Sequence, residues 1–265
     1  MKPKLVVCGA GGRMGKRIIA LAIEEGIFQI AGAVEKATHT DMGKDVAFLV
    51  GTSTLGVNIE SVFPAVADVV IDFSSPDAVD ATLCWCLQKK TALVLGTTGL
   101  SQQQQQAVKK AGEKIAVVYG TNMSVGMNVL FNLVGKTAKM LGEDYDIEII
   151  EEHHRFKKDA PSGSALTLAE NICKATDKKF PDSLVNGRSG KDVMRQKGTI
   201  GIHAVRAGDI VGEHSVIFST LGETVTLSHS AHSRDGFARG ALRAAQWLIG
   251  KKAGLYSMAD VLGLK

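Results

Sequence analysis

Two hydrophobic periods divide this chain. Through its first half, short apolar runs alternate with stretches of helical spacing. Leu5 to Cys8, Asp68 to Phe73, Ala92 to Leu95 and Ile115 to Val118 are continuous runs, as a parallel strand covered on both faces requires. Gln29 to Val34 reads as a further strand. After the first run, Ile18, Leu21 and Ala22 recur at helical spacing. The alternation predicts a doubly wound parallel sheet whose ligands lie at the carboxyl edge of the strands. Ser101 is placed to cap a helix with a solvated first turn in the glutamine run 102–106.

The second half changes character. Met127, Leu130, Phe131, Val134, Ala138 and Leu141 mark a long amphipathic helix, followed by a strand from Asp146 to Ile150. A second helix is marked by Ala165, Leu166, Leu168, Ala169, Ile172 and Cys173. From Thr199 onward apolar and polar positions alternate, with Ile200 and Ile202, Val216 and Phe218, and Val225 and Leu227 in phase. That period predicts a sheet with one face against helices. The charged, glycine-rich residues 186–198 read as a long loop over a site, and the tail from Phe237 to Lys265 as helical. The expected fold is therefore α/β, a Rossmann-type doubly wound parallel sheet plus a smaller α+β domain with an open mixed sheet. Residues 1–124 and 235–265 are expected to form the first domain and residues 125–234 the second.

Composition narrows the partners. The 265 residues are 45% hydrophobic and 22% charged, enough to bury a full core. A net charge of +4 with only 5% aromatic residues suits small anionic ligands better than nucleic acid. The apolar run Leu5 to Ala10 is too short for a signal peptide, and no window approaches a membrane span, so a cytoplasmic protein is expected. Cys8, Cys84, Cys86 and Cys173 show no metal or redox spacing and read as reduced, buried thiols.

The first strand ends in Gly9-Ala10-Gly11-Gly12-Arg13-Met14-Gly15 and leads into a helix. Glycines there let a backbone approach a pyrophosphate, and the helix start supplies N–H donors and partial positive charge. Glu35, at the end of the next strand, stands where a dinucleotide fold places an acid on the adenosine ribose. The spacing departs from G-x-G-x-x-G, since Met14 occupies the third glycine position and the glycines run Gly9-x-x-Gly12-x-x-Gly15. Lys36 and Arg13 could flank a 2′-phosphate, whereas Glu35 favours a free hydroxyl, so NADH, NADPH or both are expected as coenzyme. The strand-end loops Gly96-Thr97-Thr98-Gly99 and Gly120-Thr121-Asn122-Met123 should line the same cleft.

The segment from Glu151 to Ser164 carries the remaining chemistry. His153, His154, Arg155, Lys157 and Lys158 lie just before Pro161 and a helix start at Ser162, Gly163 and Ser164, whose backbone N–H groups would face a bound carboxylate or phosphate. Such a segment can bind an anion and protonate it. Adjacent His153 and His154 diverge on a strand and no third ligand is spaced to join them, so no metal site is expected. His203, His229 and His232 read as structural residues.

Together these strings, with Asn122-Met123-Ser124-Val125-Gly126, Arg206 to His214 and Asp260-Val261-Leu262, make a chain that resembles the dihydrodipicolinate reductases (4-hydroxy-tetrahydrodipicolinate reductases) over nearly its whole length. The string His153-His154-x-x-Lys157-x-Asp159-Ala160-Pro161-Ser162-Gly163 is the most specific. The resemblance implies that His153 is the catalytic histidine and Lys157 a proton donor, while His154, Gly163 and Ser164 hold the carboxylates of a small cyclic dicarboxylate. It also implies a homotetramer and a place in lysine biosynthesis. Ser164 stands where the family usually has threonine, which keeps the hydroxyl donor, and Met123 where phenylalanine is common. A sugar or inositol dehydrogenase would share the acid-lysine pair Glu35-Lys36 but gives no reason for Ser162-Gly163-Ser164. A non-enzymatic NAD-sensing protein would need a DNA-reading helix-turn-helix where the pattern offers a sheet.

Overall fold

The computed structural model describes residues 1–264 and divides into two compact units, 1–125 with 234–265 and 126–233. The first unit holds a seven-stranded sheet in the order β12-β6-β5-β4-β1-β2-β3. Its strands are β1 (Lys4–Cys8), β2 (Gln29–Val34), β3 (Ile59–Glu60), β4 (Val69–Asp72), β5 (Ala92–Leu95), β6 (Ala116–Tyr119) and β12 (Gly254–Tyr256), all paired in parallel. The helices of this unit are α1 (Arg13–Glu25), α2 (Val46–Val50), α3 (Pro76–Lys89), α4 (Gln102–Gly112), α7 (Asp235–Leu248) and α8 (Met258–Leu262). Two apolar clusters cover the sheet. Leu5, Val7, Ile71 and Val118 pack with α1 and α7 residues such as Ile18, Leu21, Ala241 and Ala245. Val6, Val70, Leu93 and Val117 pack with Val79, Leu83 and Val108 of α3 and α4. Adjacent residues of one strand thus enter opposite layers, which is why these runs are continuously apolar. Ser101 does cap α4, in a full capping box with Gln104.

The second unit is built on a five-stranded mixed sheet in the order β11-β10-β7-β9-β8. Its strands are β7 (Asp146–His153), β8 (Leu184–Asn186), β9 (Ile200–Arg206), β10 (Glu213–Thr220) and β11 (Glu223–Ser230), with α5 (Val125–Leu141) leading in and α6 (Gly163–Ala175) following β7. The central strand β7 pairs parallel to β9 and antiparallel to β10. Ile147 and Ile149 of β7 join Ile200, Ile202, Val216 and Phe218 in a core with Met127, Leu130 and Val134 of α5 and Leu168 and Ile172 of α6. The two helices approach closely at Gly135, where an added Cβ would lie 3.0 Å from the Asn171 carbonyl oxygen.

Four expectations need correction. The tail is not helical throughout: after α7, residues 254–256 form the edge strand β12 beside β6. The strand predicted to end at Ile150 runs on to His153, so Glu151 and His153 belong to the sheet. The residues 186–198 do not cover the His153 end of β7. Arg188 and Arg195 tie this loop to Glu148 and Asp146 near the start of that strand, and Glu148 alternates to the opposite face from His153. Finally, Cys8, Cys86 and Cys173 are buried, but Cys84 is exposed on α3.

Candidate active site

Candidate functional side chains gather in two places, one in each unit. In the first, the glycine turn is shaped by close approach. Gly9 sits at φ +73°, and a Cβ there would lie 2.6 Å from the Phe73 carbonyl oxygen. A Cβ at Gly15 would lie 2.1 Å from the Gly9 carbonyl oxygen. Gly15, one position later than the usual spacing, therefore performs the helix-to-turn packing that a third glycine provides. Gly9 and Ala10 donate their N–H groups to Val34, Gly12 donates to Gly9, and Gly11 donates to Glu35. The donors left to receive a phosphate are those of the first helical residues, Arg13 and Met14, which have no carbonyl within the helix to bond. Glu35 also accepts the Lys36 N–H at 3.0 Å. Each carboxylate oxygen keeps a second lone pair for a hydroxyl.

A pocket of about 590 Å³ opens beside this turn, lined among others by Gly9, Gly12, Glu35, Lys36, His39 and Phe73. Its size, glycine cradle and acid at the β2 end fit the adenosine half of a dinucleotide. The loops after β5 and β6 take more structural roles than expected. Gly96 packs under the Phe73 ring, and the buried Thr97 hydroxyl donates to Asp72 at 2.9 Å; Thr98 is exposed. Gly120 donates to Leu95, Thr121 is exposed, and Asn122 Oδ1 accepts the Ser124 N–H. Met123 is buried in the core beneath α7.

In the second unit the chemistry gathers at the carboxyl end of β7. The alternation that buries Ile147 and Ile149 also buries Glu151 and His153. His153 Nδ1 lies 2.5 Å from Glu151 Oε2. The Arg206 guanidinium, on β9, bonds both Glu151 oxygens at 2.8 and 2.7 Å, and Glu151 Oε1 also accepts the Ser162 N–H at 3.0 Å. His214, directly across from Glu151 on β10, stacks edge-on against His153 with ring centroids 5.2 Å apart and lies 3.3 Å from Ser162 Oγ. Lys157, in the loop after β7, pairs with Asp159 at 2.8 Å.

Burial would raise the Glu151 carboxyl, but hydrogen bonds from Arg206 and His153 outweigh it and hold the group ionised, below its ordinary range. Burial lowers His153, against the pull of Glu151 and with help from Lys157 and Arg206. His214 is pushed down to about 3, by burial first and His153 second, and is neutral at neutral pH.

Ser162 departs from its expected role. It is buried, its N–H is committed to Glu151, and its hydroxyl caps α6 by accepting the Ala165 N–H at 3.2 Å. The first helical residues are Gly163 and Ser164, and an added Cβ at Gly163 would meet nothing within 4 Å. His154 Nδ1 is buried without a hydrogen-bond partner among the described residues, so the ring retains capacity for a ligand. Glu151, Arg206 and His214 were assigned no role from sequence. Their signal was present: Glu151 and His214 fall in phase with the apolar positions of their strands, where a polar residue is costly unless paired. Among the described residues no His, Cys, Asp and Glu group is arranged to hold a metal ion.

Family models match both parts of the chain, dihydrodipicolinate reductase, N-terminus, over residues 3–123 and dihydrodipicolinate reductase, C-terminus, over residues 126–262. The chain belongs to the dihydrodipicolinate reductase family. A 4-hydroxy-tetrahydrodipicolinate reductase of Syntrophus aciditrophicus (strain SB) is 46% identical over 265 residues, covering 99% of both chains. Among solved structures, a dipicolinate-bound dihydrodipicolinate reductase from Paenisporosarcina sp. TG-14 shares the fold with a TM-score of 0.75 at 22% identity, covering 98% of this chain and 99% of that one. An amine dehydrogenase from Mycobacterium smegmatis aligns with a TM-score of 0.56 at 13% identity, over 97% of this chain and 95% of that one.

Proposed function

We propose that this protein is an NAD(P)H-dependent reductase that converts 4-hydroxy-tetrahydrodipicolinate (dihydrodipicolinate) to tetrahydrodipicolinate in the diaminopimelate route to lysine. The observation that carries the reading is a buried imidazole, His153, held by an ionised carboxylate just ahead of a helix N-terminus. That pairing suits a dicarboxylate that must be held and protonated in one place. Loss of the 4-hydroxyl as water leaves a conjugated imine in the substrate ring, to which the reduced nicotinamide, when bound, supplies a hydride. The negative charge this leaves is quenched by a proton from His153 or Lys157.

The chain's own groups divide the work. The N–H groups of Gly163 and Ser164, at the positive end of α6, receive a substrate carboxylate, with His154 beside them. His153 Nδ1 is engaged by Glu151, so its Nε2 is the atom that gives the proton. In the free protein burial keeps His153 below its ordinary pKa. A dicarboxylate arriving nearby raises it, so that substrate binding arms the acid. Glu35, Lys36, Arg13 and Met14 hold the adenosine end of NADH or NADPH.

The decisive test mixes purified protein with the product of the upstream synthase and follows oxidation of NADH and NADPH separately. Oxidation of at least one is expected, and oxidation of neither overturns the reading. His153→Ala and Lys157→Ala should each lower kcat by roughly 10²–10⁴-fold, as loss of a positioned acid does; full turnover in both would remove them from the chemistry. The reading extends to a cytoplasmic homotetramer. It is supported by the family and by the place of β11 at the end of its sheet, where among the described residues β10 is its one neighbouring strand. Sedimentation velocity should give a species near four times 28.1 kDa.

A further inference from the structure

Glu151 is fully buried, and every polar contact it makes leads to a part of the candidate site. Oε2 meets His153 Nδ1, and Oε1 takes the Ser162 N–H at the start of α6. Its counter-ion, Arg206, donates to both oxygens. Through Nη2 that guanidinium also reaches the Asp159 carbonyl oxygen at 2.6 Å, in the loop that carries Lys157. Its Nη1 is further held by the Val205 carbonyl oxygen at 2.6 Å. One ion pair therefore touches the imidazole, the lysine loop and the helix end that receives a carboxylate. A side chain at position 212 would crowd the far side of the ring, since a Cβ there would lie 3.2 Å from His153 Nε2. Glu151 thus holds the ring at Nδ1, and glycine at 212 leaves the space beside Nε2 open.

We infer that Glu151 and Arg206 are a positioning pair. They fix His153 as the Nδ1–H tautomer and hold its Nε2, the Lys157 loop and the start of α6 in one register. This rests on the reading of His153 as proton donor. The pair has two consequences. The Nδ1–H tautomer leaves neutral His153 with only a lone pair at Nε2, so the ring donates there only as an imidazolium. The carboxylate stabilises that imidazolium, while Arg206 keeps the carboxylate ionised and limits how far it raises the imidazole. The charged and titratable groups facing His153 are Glu151 on its own strand, Arg206 on β9, Lys157 in the following loop and His214 on β10. His214, neutral, adds no charge at working pH. The balance therefore rests on Glu151 against Arg206 and Lys157.

The test has two arms. In the wild-type protein, long-range ¹H–¹⁵N correlation of the imidazole nitrogens should show neutral His153 protonated at Nδ1. A predominant Nε2–H tautomer overturns the proposal whatever the variants do. In Glu151→Gln, the high-pH limb of kcat/KM should move to lower pH by about one unit, because the imidazolium loses its counter-charge. Its kcat should fall on the order of 10²-fold, and Glu151→Asp should restore part of the limb position. A folded Glu151→Gln with an unmoved limb and turnover within about threefold of wild type overturns the proposal, since a merely structural residue would leave the profile in place. If Glu151→Gln does not fold, the tautomer decides. Absence of any reductase activity in the wild type would sink the functional reading alone, because the tautomer is read without substrate.

Discussion

His214 is a base kept neutral at a cost that depends on pH. In the unfolded chain it takes a proton near its ordinary pKa of 6.5, whereas in the folded protein burial delays protonation until about 3. Between those values the unfolded state binds the extra proton, so stability is complete above 6.5 and is lost as pH falls through that window, at up to about 1.4 kcal/mol per pH unit. His214→Asn should flatten the decline of Tm between pH 6.5 and 4.5, and parallel slopes for variant and wild type would refute this. The same residue shows what was legible at this scale. The string from His153 to Gly163 announced the site, because unusual residue types were adjacent in sequence. Glu151, Arg206 and His214 went unassigned, since their meeting depends on the register of three strands. The converse holds at Ser162 and Thr97, where the fold adds contacts the sequence does not show: the Ser162 N–H bonds Glu151, and the Thr97 hydroxyl bonds Asp72.

Among elements, the glycine turn and α1 depend on a contact that no side chain can enter. With Ala at position 15, the new Cβ would fall 2.1 Å from the Gly9 carbonyl oxygen and 2.7 Å from Ala10 Cα. Helix α1 would have to back away, carrying the Arg13 and Met14 donors with it. Gly15→Ala should weaken NADH binding by about tenfold or more, read by quenching or calorimetry. Gly236→Ala, in α7 with nothing within 4 Å, should leave it unchanged. Equal affinities in the two variants would contradict this role for Gly15. The irregular glycine spacing was visible in sequence, but which glycine met which backbone was not. Long elements were legible because their periods repeat: α5, α6, β2 and β5 fall where the pattern put them. The strands β3, β8 and β12, of two or three residues, are too short to show a period and exist because a neighbouring strand offers them an open edge.

At the scale of the whole molecule, the first unit is discontinuous in sequence while the second is not. Ala238, Ala241, Ala244, Ala245 and Leu248 of α7 lie in the same core cluster as Leu5 and Val7 of β1. A chain ending at residue 233 should therefore lose NADH binding and the cooperative unfolding of the first unit, checked by titration and thermal melts. Undiminished affinity in that truncation would show α7 to be dispensable. The arrangement also sets an order of events on the ribosome. The second unit is entirely synthesised by residue 233, and nothing in its sheet awaits later residues. The parallel sheet that began with residues 4–8 stays open along β6 until residues 254–256 are made. A strand translated before the second unit thus belongs to a sheet that closes after it. Its neighbours must stay soluble, or be shielded by a chaperone, for the time it takes to translate the intervening unit.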